Sequence, residues 1–195
     1  DCSVITDLLD SGMLPVRVTH NDTKINNVMI DEKTEEPICI IDLDTIGPDS
    51  CLVDFGDAIR SGANRAGEEP EKLDEAKLDI ELFEAYTKGY LSQTLILDRN
   101  GKLNQDPQKG LTEAEIQMLH KAPKILTLEL AMRFLGDYLN GDEYFKIKPT
   151  QPADINLRRG LTQMYLAQDM AAKEAEMKKI VDGIVVEKTK SEEER

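Results

Sequence analysis

Residues 16–44, VRVTHNDTKINNVMIDEKTEEPICIIDLD, carry the reading of the fold. Two short apolar runs, residues 28–30 and 38–41, flank a polar stretch over 32–37. Val- and Ile-rich runs bounded by turn residues predict buried strands, and two of them around one short loop predict a β-hairpin. A symmetric loop sets Val28 opposite Ile41 and Asn27 opposite Asp42. Directly opposed residues of an antiparallel pair lie about 4.5–5.5 Å apart. An amide oxygen and a carboxylate are therefore expected together at the open end of the hairpin, beside His20-Asn21-Asp22.

Three oxygen-bearing side chains, Asp22, Asn27 and Asp42, thus fall in one small space. Hard oxygen donors in small number suit Mg²⁺, which completes its octahedron with water and phosphate oxygens. The spacing has its own meaning. His-x-Asp followed by Asn five residues after the Asp is the catalytic-loop pattern of kinases, with Asp as base and Asn on metal. The expected roles are Asp22 as catalytic base and acceptor-binding group, with Asn27 and Asp42 as ligands for Mg²⁺ and, through it, ATP. The competing structural readings are an Asx-turn for Asp22 and a water-satisfied hairpin end for the other two.

At THNDTKINN, IDLDT, LVDFGDAIRSGA and, far downstream, MRFLGDYLNGDEYF, the chain resembles the aminoglycoside phosphotransferase and choline kinase superfamily. These are protein-kinase-like enzymes that phosphorylate small molecules; within them the likeness is greatest to the N-acetylhexosamine 1-kinases. The resemblance runs from Arg17 to about Lys173. It implies ATP and Mg²⁺, a small-molecule sugar as acceptor, Lys24 reaching the γ-phosphate, and Arg133 and Tyr144 facing the sugar. It also implies a nucleotide lobe of which no phosphate-covering Gly-rich motif is present here, and the chain opens on Asp1 rather than Met. The expectation is therefore an α+β, mostly helical C-terminal lobe over residues 1–183, with the N-terminal lobe as its missing partner. Residues 1–62 would hold the catalytic loop, hairpin and following helix, residues 71–183 the helical substrate-binding part, and residues 184–195 a disordered tail.

Asp54-Phe55-Gly56 spells the metal-binding triplet of protein kinases but lies past the hairpin, inside a predicted helix. The resemblance makes Asp54 a brace for the catalytic loop rather than a metal ligand. His20 is read as structural, and two histidines in all leave no His-based zinc site. Asp44 is held as a backup to the metal or substrate, and Asp137, Asp142 and Glu143 as a solvated acidic face.

The composition bounds the alternatives. A net charge of −14 argues against nucleic acid or an anionic membrane as partner. Cys2, Cys39 and Cys51 form no C-x-x-C and suit a reducing cytoplasm, with Cys39 expected in a buried strand. Helices are predicted over 3–11, from 49 or 50 to 61, over 71–97, from the Thr112–Glu115 capping box, over 125–139, and from Asp154 to beyond Met177. A turn-rich loop fills 99–110, with Asn100-Gly101 as a tight turn. Two rivals stand beside the sugar-kinase reading: an aminoglycoside- or choline-type kinase, and a non-catalytic binding module that retains the lobe.

Overall fold

The computed structural model describes residues 2–98, 101–104 and 106–193, and the side chains of these up to residue 190. In chain order the elements are α1 (Val4–Asp10), β1 (Arg17–Thr19), β2 (Val28–Ile30), β3 (Pro37–Ile40), β4 (Gly47–Asp49), α2 (Cys51–Gly62), α3 (Ile80–Thr94), α4 (Glu113–Met118), α5 (Ala122–Leu139), α6 (Ile155–Ala172) and α7 (Glu174–Glu193). Helices dominate, and the strands form two separate two-stranded sheets, compatible with an α+β kinase-like fold.

The core is aliphatic and lies where α2 meets α3 and α5, with α6 packed on α5 and α7 on α3. Leu52, Ile59, Phe83, Leu91, Leu119, Leu166 and Met177 are sealed from solvent, and burying a side chain of this size contributes about 1.5–3 kcal/mol. Two glycines set how closely the helices approach. A Cβ on Gly56 would lie 2.9 Å from the Ala122 carbonyl oxygen, and one on Gly160 2.6 Å from Leu135 Cγ. Helix α2 therefore rests against the start of α5, and α6 rests directly on α5. Ser50 caps α2 by accepting from Leu52 N, and the predicted capping box at Thr112 and Glu115 opens α4 with both reciprocal hydrogen bonds. Pro123 sits in the first turn of α5, where its missing N–H leaves no partner unsatisfied.

The hairpin forms, with two corrections. Its register is Val28↔Ile40 and Met29↔Cys39, then Ile30↔Pro37 across an irregularity. Ile41 N donates to Asn27 O, so Asn27 faces Ile41 and Asp42 lies one residue beyond. The symmetric-loop expectation missed this because Glu35 takes a left-handed turn (φ 59) and Pro37 joins the strand. The strands are also exposed rather than buried: Met29, Ile30, Ile38, Ile40 and Cys39 all face outward. Pattern alone reports apolar content and not what covers it. The Gly47-Pro48 turn is instead the edge strand β4, which pairs with β1 through Arg17↔Asp49.

Farther on, the predicted 71–97 helix divides. Leu73–Glu75 form a single 3-10 turn, and α3 begins only after Asp79, whose carboxylate accepts from Leu82 N. The last helix divides at Lys173 into α6 and α7, and residues 184–193, expected as tail, continue α7. The proposed Asn100-Gly101 turn and residues 194–195 of the tail lie wholly or partly outside the described residues. Among the described residues no helix is long and apolar enough to cross a membrane.

Candidate active site

The site is built where β1 hands over to the hairpin, over the N-terminal half of α2. Thr19 ends β1 buried, donating to Gly47 O and to Asn21 Oδ1. The next residues turn sharply, with Asn21 in the left-handed region at φ 65. Asp54, in the first turn of α2, holds that turn. Its carboxylate accepts from His20 N at 2.9 Å and Asn21 N at 2.8 Å, and its carbonyl accepts from Thr23 Oγ1 at 2.6 Å. Asp54 is thus a brace, and both its carboxylate oxygens are occupied by the loop it supports. His20 has a structural part as well: Nδ1 accepts from Asp22 N at 3.3 Å, and Nε2 lies 3.0 Å from Ile41 O.

Asp22, Lys24, Asn27 and Asp42 come together on this loop. Lys24 Nζ lies 2.6 Å from Asp22 Oδ2 and 3.8 Å from Asp42 Oδ2, bridging the two carboxylates. Asn27 is buried, and its Nδ2 donates to both Asp22 Oδ2 (2.9 Å) and Asp22 O (2.8 Å). Burial lowers the Lys24 ammonium, but its hydrogen bond to Asp22 and the charges of Asp22, Asp42 and Asp57 outweigh this and hold it above its usual value. Asp44, one short turn after Asp42, is exposed and joins none of these contacts, because the strand ends before it.

Arg133 on α5 and Tyr144 on the turn after it meet each other. The guanidinium carbon lies 5.5 Å from the Tyr144 ring centroid, and Nη2 is 3.3 Å from the phenol oxygen. Both residues line one cleft with Asp22 and Lys24, a cavity of about 690 Å³ that also takes in Phe134, Phe145 and Arg159. A second cleft of about 410 Å³ opens on the other flank of Asp22, lined by Asp49, Asp57, Arg60, Glu129 and Arg133 among others. Burial raises the Glu129 carboxyl there, against the lowering effect of Arg133 and Arg60.

Two supports escaped the sequence reading. Asp137 is not on a solvated face; it is buried and accepts from Tyr144 N and Phe145 N, each at 2.8 Å. Asn156 on α6, fully buried, donates to Asp142 Oδ1 and Phe145 O and completes the hold on the same turn. The other support is Glu115, fully buried, whose carboxylate takes the Arg17 guanidinium at 2.5 and 2.7 Å along with Thr112 N. Arg17 also donates to Pro107 O and Gly110 O, so β1 is tied to the base of α4. A buried carboxylate after a capping Thr and an Arg at a strand start were both visible, but their pairing spans 98 positions.

Residues 2–93 match the family model described as Phosphotransferase enzyme family, APH. The matched segment spans α1 through most of α3, and so contains the loop over residues 20–27, the hairpin and helix α2 with Asp54. It supports the aminoglycoside phosphotransferase and kinase-like superfamily, and with it a phosphotransferase acting on small molecules. Arg133 and Tyr144 lie outside the matched residues.

The donors at the loop fit a divalent ion. Asn27 spends its Nδ2 on Asp22 and leaves Oδ1 without a hydrogen-bond partner among the described residues. The Asp42 carboxylate is half exposed, with only Lys24 at 3.8 Å. Two unspent hard oxygens on adjacent turns suit Mg²⁺, which binds through few protein ligands and keeps several waters. Among the described residues there is no cluster of three or more His, Cys, Asp or Glu side chains that could hold a metal.

Proposed function

We propose that the protein is an ATP- and Mg²⁺-dependent small-molecule kinase, and that its acceptor is the anomeric hydroxyl of an N-acetylhexosamine. Asp22 and Lys24 line a cleft with Arg133 and Tyr144, while Asn27 bonds Asp22 and Asp42 lies by Lys24, and this arrangement carries the reading. Phosphoryl transfer asks for in-line positioning and for stabilisation of charge on the phosphoryl oxygens. Asp22 accepts the hydrogen bond of the acceptor hydroxyl, aims its oxygen and takes its proton as the new bond to the γ-phosphorus forms and the bond from that phosphorus to the β,γ-bridging oxygen breaks, with ADP as the leaving group. Lys24, already within reach of Asp22, neutralises charge on the transferring group. Asn27 Oδ1 and the Asp42 carboxylate would hold Mg²⁺, which when bound supplies positive charge to the nucleotide phosphates. Arg133 donates to ring hydroxyls or the N-acetyl carbonyl, while the exposed Tyr144 ring offers a face to the sugar.

We read the chain as a C-terminal lobe. Support comes from an outward row of apolar side chains on β1 and the hairpin, with Val18 84% and Ile38 60% exposed. Large exposed apolar patches mark surfaces made to be covered, and the nucleotide lobe is the partner this reading names. A second acceptor class has one observation in its favour: the smaller cleft is lined by Asp22, Asp49, Asp57 and Glu129, which suits a cationic aminoglycoside or choline-like alcohol.

The test is a panel of N-acetylhexosamines, aminoglycosides and amino alcohols, assayed with ATP and Mg²⁺ on the full-length protein. N-acetylhexosamine 1-phosphate should be the principal product, and Asp22→Asn should lower kcat by about 10²–10⁴ without unfolding the protein. Preferred phosphorylation of amino alcohols would overturn the acceptor assignment, and near-normal rates in the variant would remove Asp22 from the chemistry. Residues 1–195 alone should show no useful turnover; robust activity would refute the lobe reading.

A further inference from the structure

The two clefts beside Asp22 differ in sign. The smaller is lined by four carboxylates (Asp22, Asp49, Asp57 and Glu129) and two guanidiniums. The larger is lined by six cationic side chains (Lys24, Arg60, Arg133, Lys146, Lys148 and Arg159) against Asp22 and Glu68 alone. On a chain of net charge −14 this is a local inversion. Half of those cations are committed. Lys24 pairs with Asp22 and Arg60 with Asp57 and Glu68, while Arg159 grips Glu69 just outside the wall. Lys146 and Lys148 are exposed and form no salt bridge among the described residues, and Arg133 has only Glu129 at 3.8 Å.

The segment that carries the two lysines is fixed at both ends. At its start, Asp137 accepts from Tyr144 N and Phe145 N. At its end, Gln151 accepts from Lys148 N and donates to both oxygens of Glu69. Burial raises the Glu69 carboxyl, but the Arg159 and Gln151 hydrogen bonds, with the charges of Arg159 and Lys148, hold it low and ionised. The strap's backbone is therefore tied down without a hydrogen bond from either ammonium, although the charge of Lys148 also acts on Glu69. Cations carried on a pinned backbone beside an aromatic wall suit an anionic group.

We infer that the larger cleft takes a hexosamine bearing an anionic substituent, a phosphate or carboxylate, with the sugar ring against Tyr144 and the anion between Lys146 and Lys148. This rests on the acceptor reading above and adds a charge to it. Arg133, which lines the same cleft and touches Tyr144, serves as a donor to either group.

Titration calorimetry on the full chain tests it with three sugars of one scaffold: N-acetylglucosamine 6-phosphate, neutral N-acetylglucosamine, and cationic glucosamine. The phosphorylated sugar should bind about tenfold tighter than the neutral one, and the margin should shrink as salt rises. In Lys146→Gln/Lys148→Gln the margin should close, with affinity for Mg²⁺-ATP unaltered. Because both lysines are exposed, the double variant should fold normally, which circular dichroism checks. Equal binding of neutral and anionic sugars overturns this inference and leaves the hexosamine reading standing. A margin that survives the double substitution, or a parallel loss of ATP affinity, overturns it as well. Preference for glucosamine, or no binding of any of the three, overturns both readings.

Discussion

Asp54→Asn is the substitution that most directly tests how the catalytic loop is held. The carboxylate accepts two backbone N–H groups, from His20 and Asn21, one on each oxygen. An amide keeps one acceptor oxygen and turns an NH₂ toward the other N–H, so one bond is replaced by two facing donors. Hydrogen bonds to a charged group contribute about 1.5–3 kcal/mol each. The negative charge in the first turn of α2 is also lost, at about 0.3–1 kcal/mol. A total near ~2–4 kcal/mol is expected for holding the loop closed. Asn21 sits at φ 65, so without the brace the turn has reason to relax. Native-state hydrogen exchange reads this residue by residue. Amide exchange at His20 and Asn21 should speed up by roughly 30-fold to 900-fold. Amides in the middle of α3, such as Thr87, should change less, because they exchange through global opening. The Thr23 hydroxyl bond runs to the Asp54 backbone carbonyl and survives the substitution. On the proposed function kcat should fall too, since Asp22 is the next residue along. Unchanged protection at both amides, or the same acceleration throughout the chain, would refute the brace.

Other perturbations have equally definite outcomes. Glu115→Gln leaves the Arg17 guanidinium without its buried counter-ion and should cost about 3–5 kcal/mol in urea unfolding; adding Arg17→Met should recover part of that loss, and simple additivity would argue against the pair. Burial raises the Glu115 carboxyl, but Arg17 and the Thr112 N–H outweigh it and hold it below 4.5. Its contribution is therefore present above pH ~4.5 and lost as pH falls through the lower folded value, so the penalty of Glu115→Gln should shrink in acid. Gly56→Ala should destabilise by about 1–3 kcal/mol through overpacking against the Ala122 carbonyl, a fall of a few degrees or more in Tm. Thiol labelling should modify exposed Cys39 quickly and spare Cys51, which is buried beside Glu115 and pushed up to about 12.

Much of the fold could be read from local signals. The hairpin, the Ser50 and Thr112 caps and the Pro123 boundary each depend on residues a few positions apart. So did the gathering of Asp22, Asn27 and Asp42 and the separation of Asp54 from them. What could not be read were facts that depend on distant chain or on the surface. Exposure of the hairpin is decided by what lies over it, and β4 becomes a strand only because β1 arrives beside Pro48. Asp137 was placed with solvent because its neighbours Asp142 and Glu143 are acidic too. Its role requires the chain to fold back so that Tyr144 and Phe145 present their amides to it. The breaks at Lys173 and at residues 76–79 share one cause. Asp169 accepts from Leu78 N and from Lys173 Nζ, joining two helix ends that no periodicity links.

The backbone of Asp42 limits the alphabet at that position. At φ 66 it occupies the left-handed region, which Gly, Asn and Asp enter more readily than most side chains. Glu35 shows that a glutamate can adopt this backbone, but at position 42 its longer stem would carry the headgroup past the place the Asp carboxylate holds. Asn and Gly tolerate the geometry yet carry no anion. On the proposed ligand role, saturation of codon 42 should return Gly and Asn variants that fold without activity, so that a torsion angle and the need for an anion together favour the acid found there.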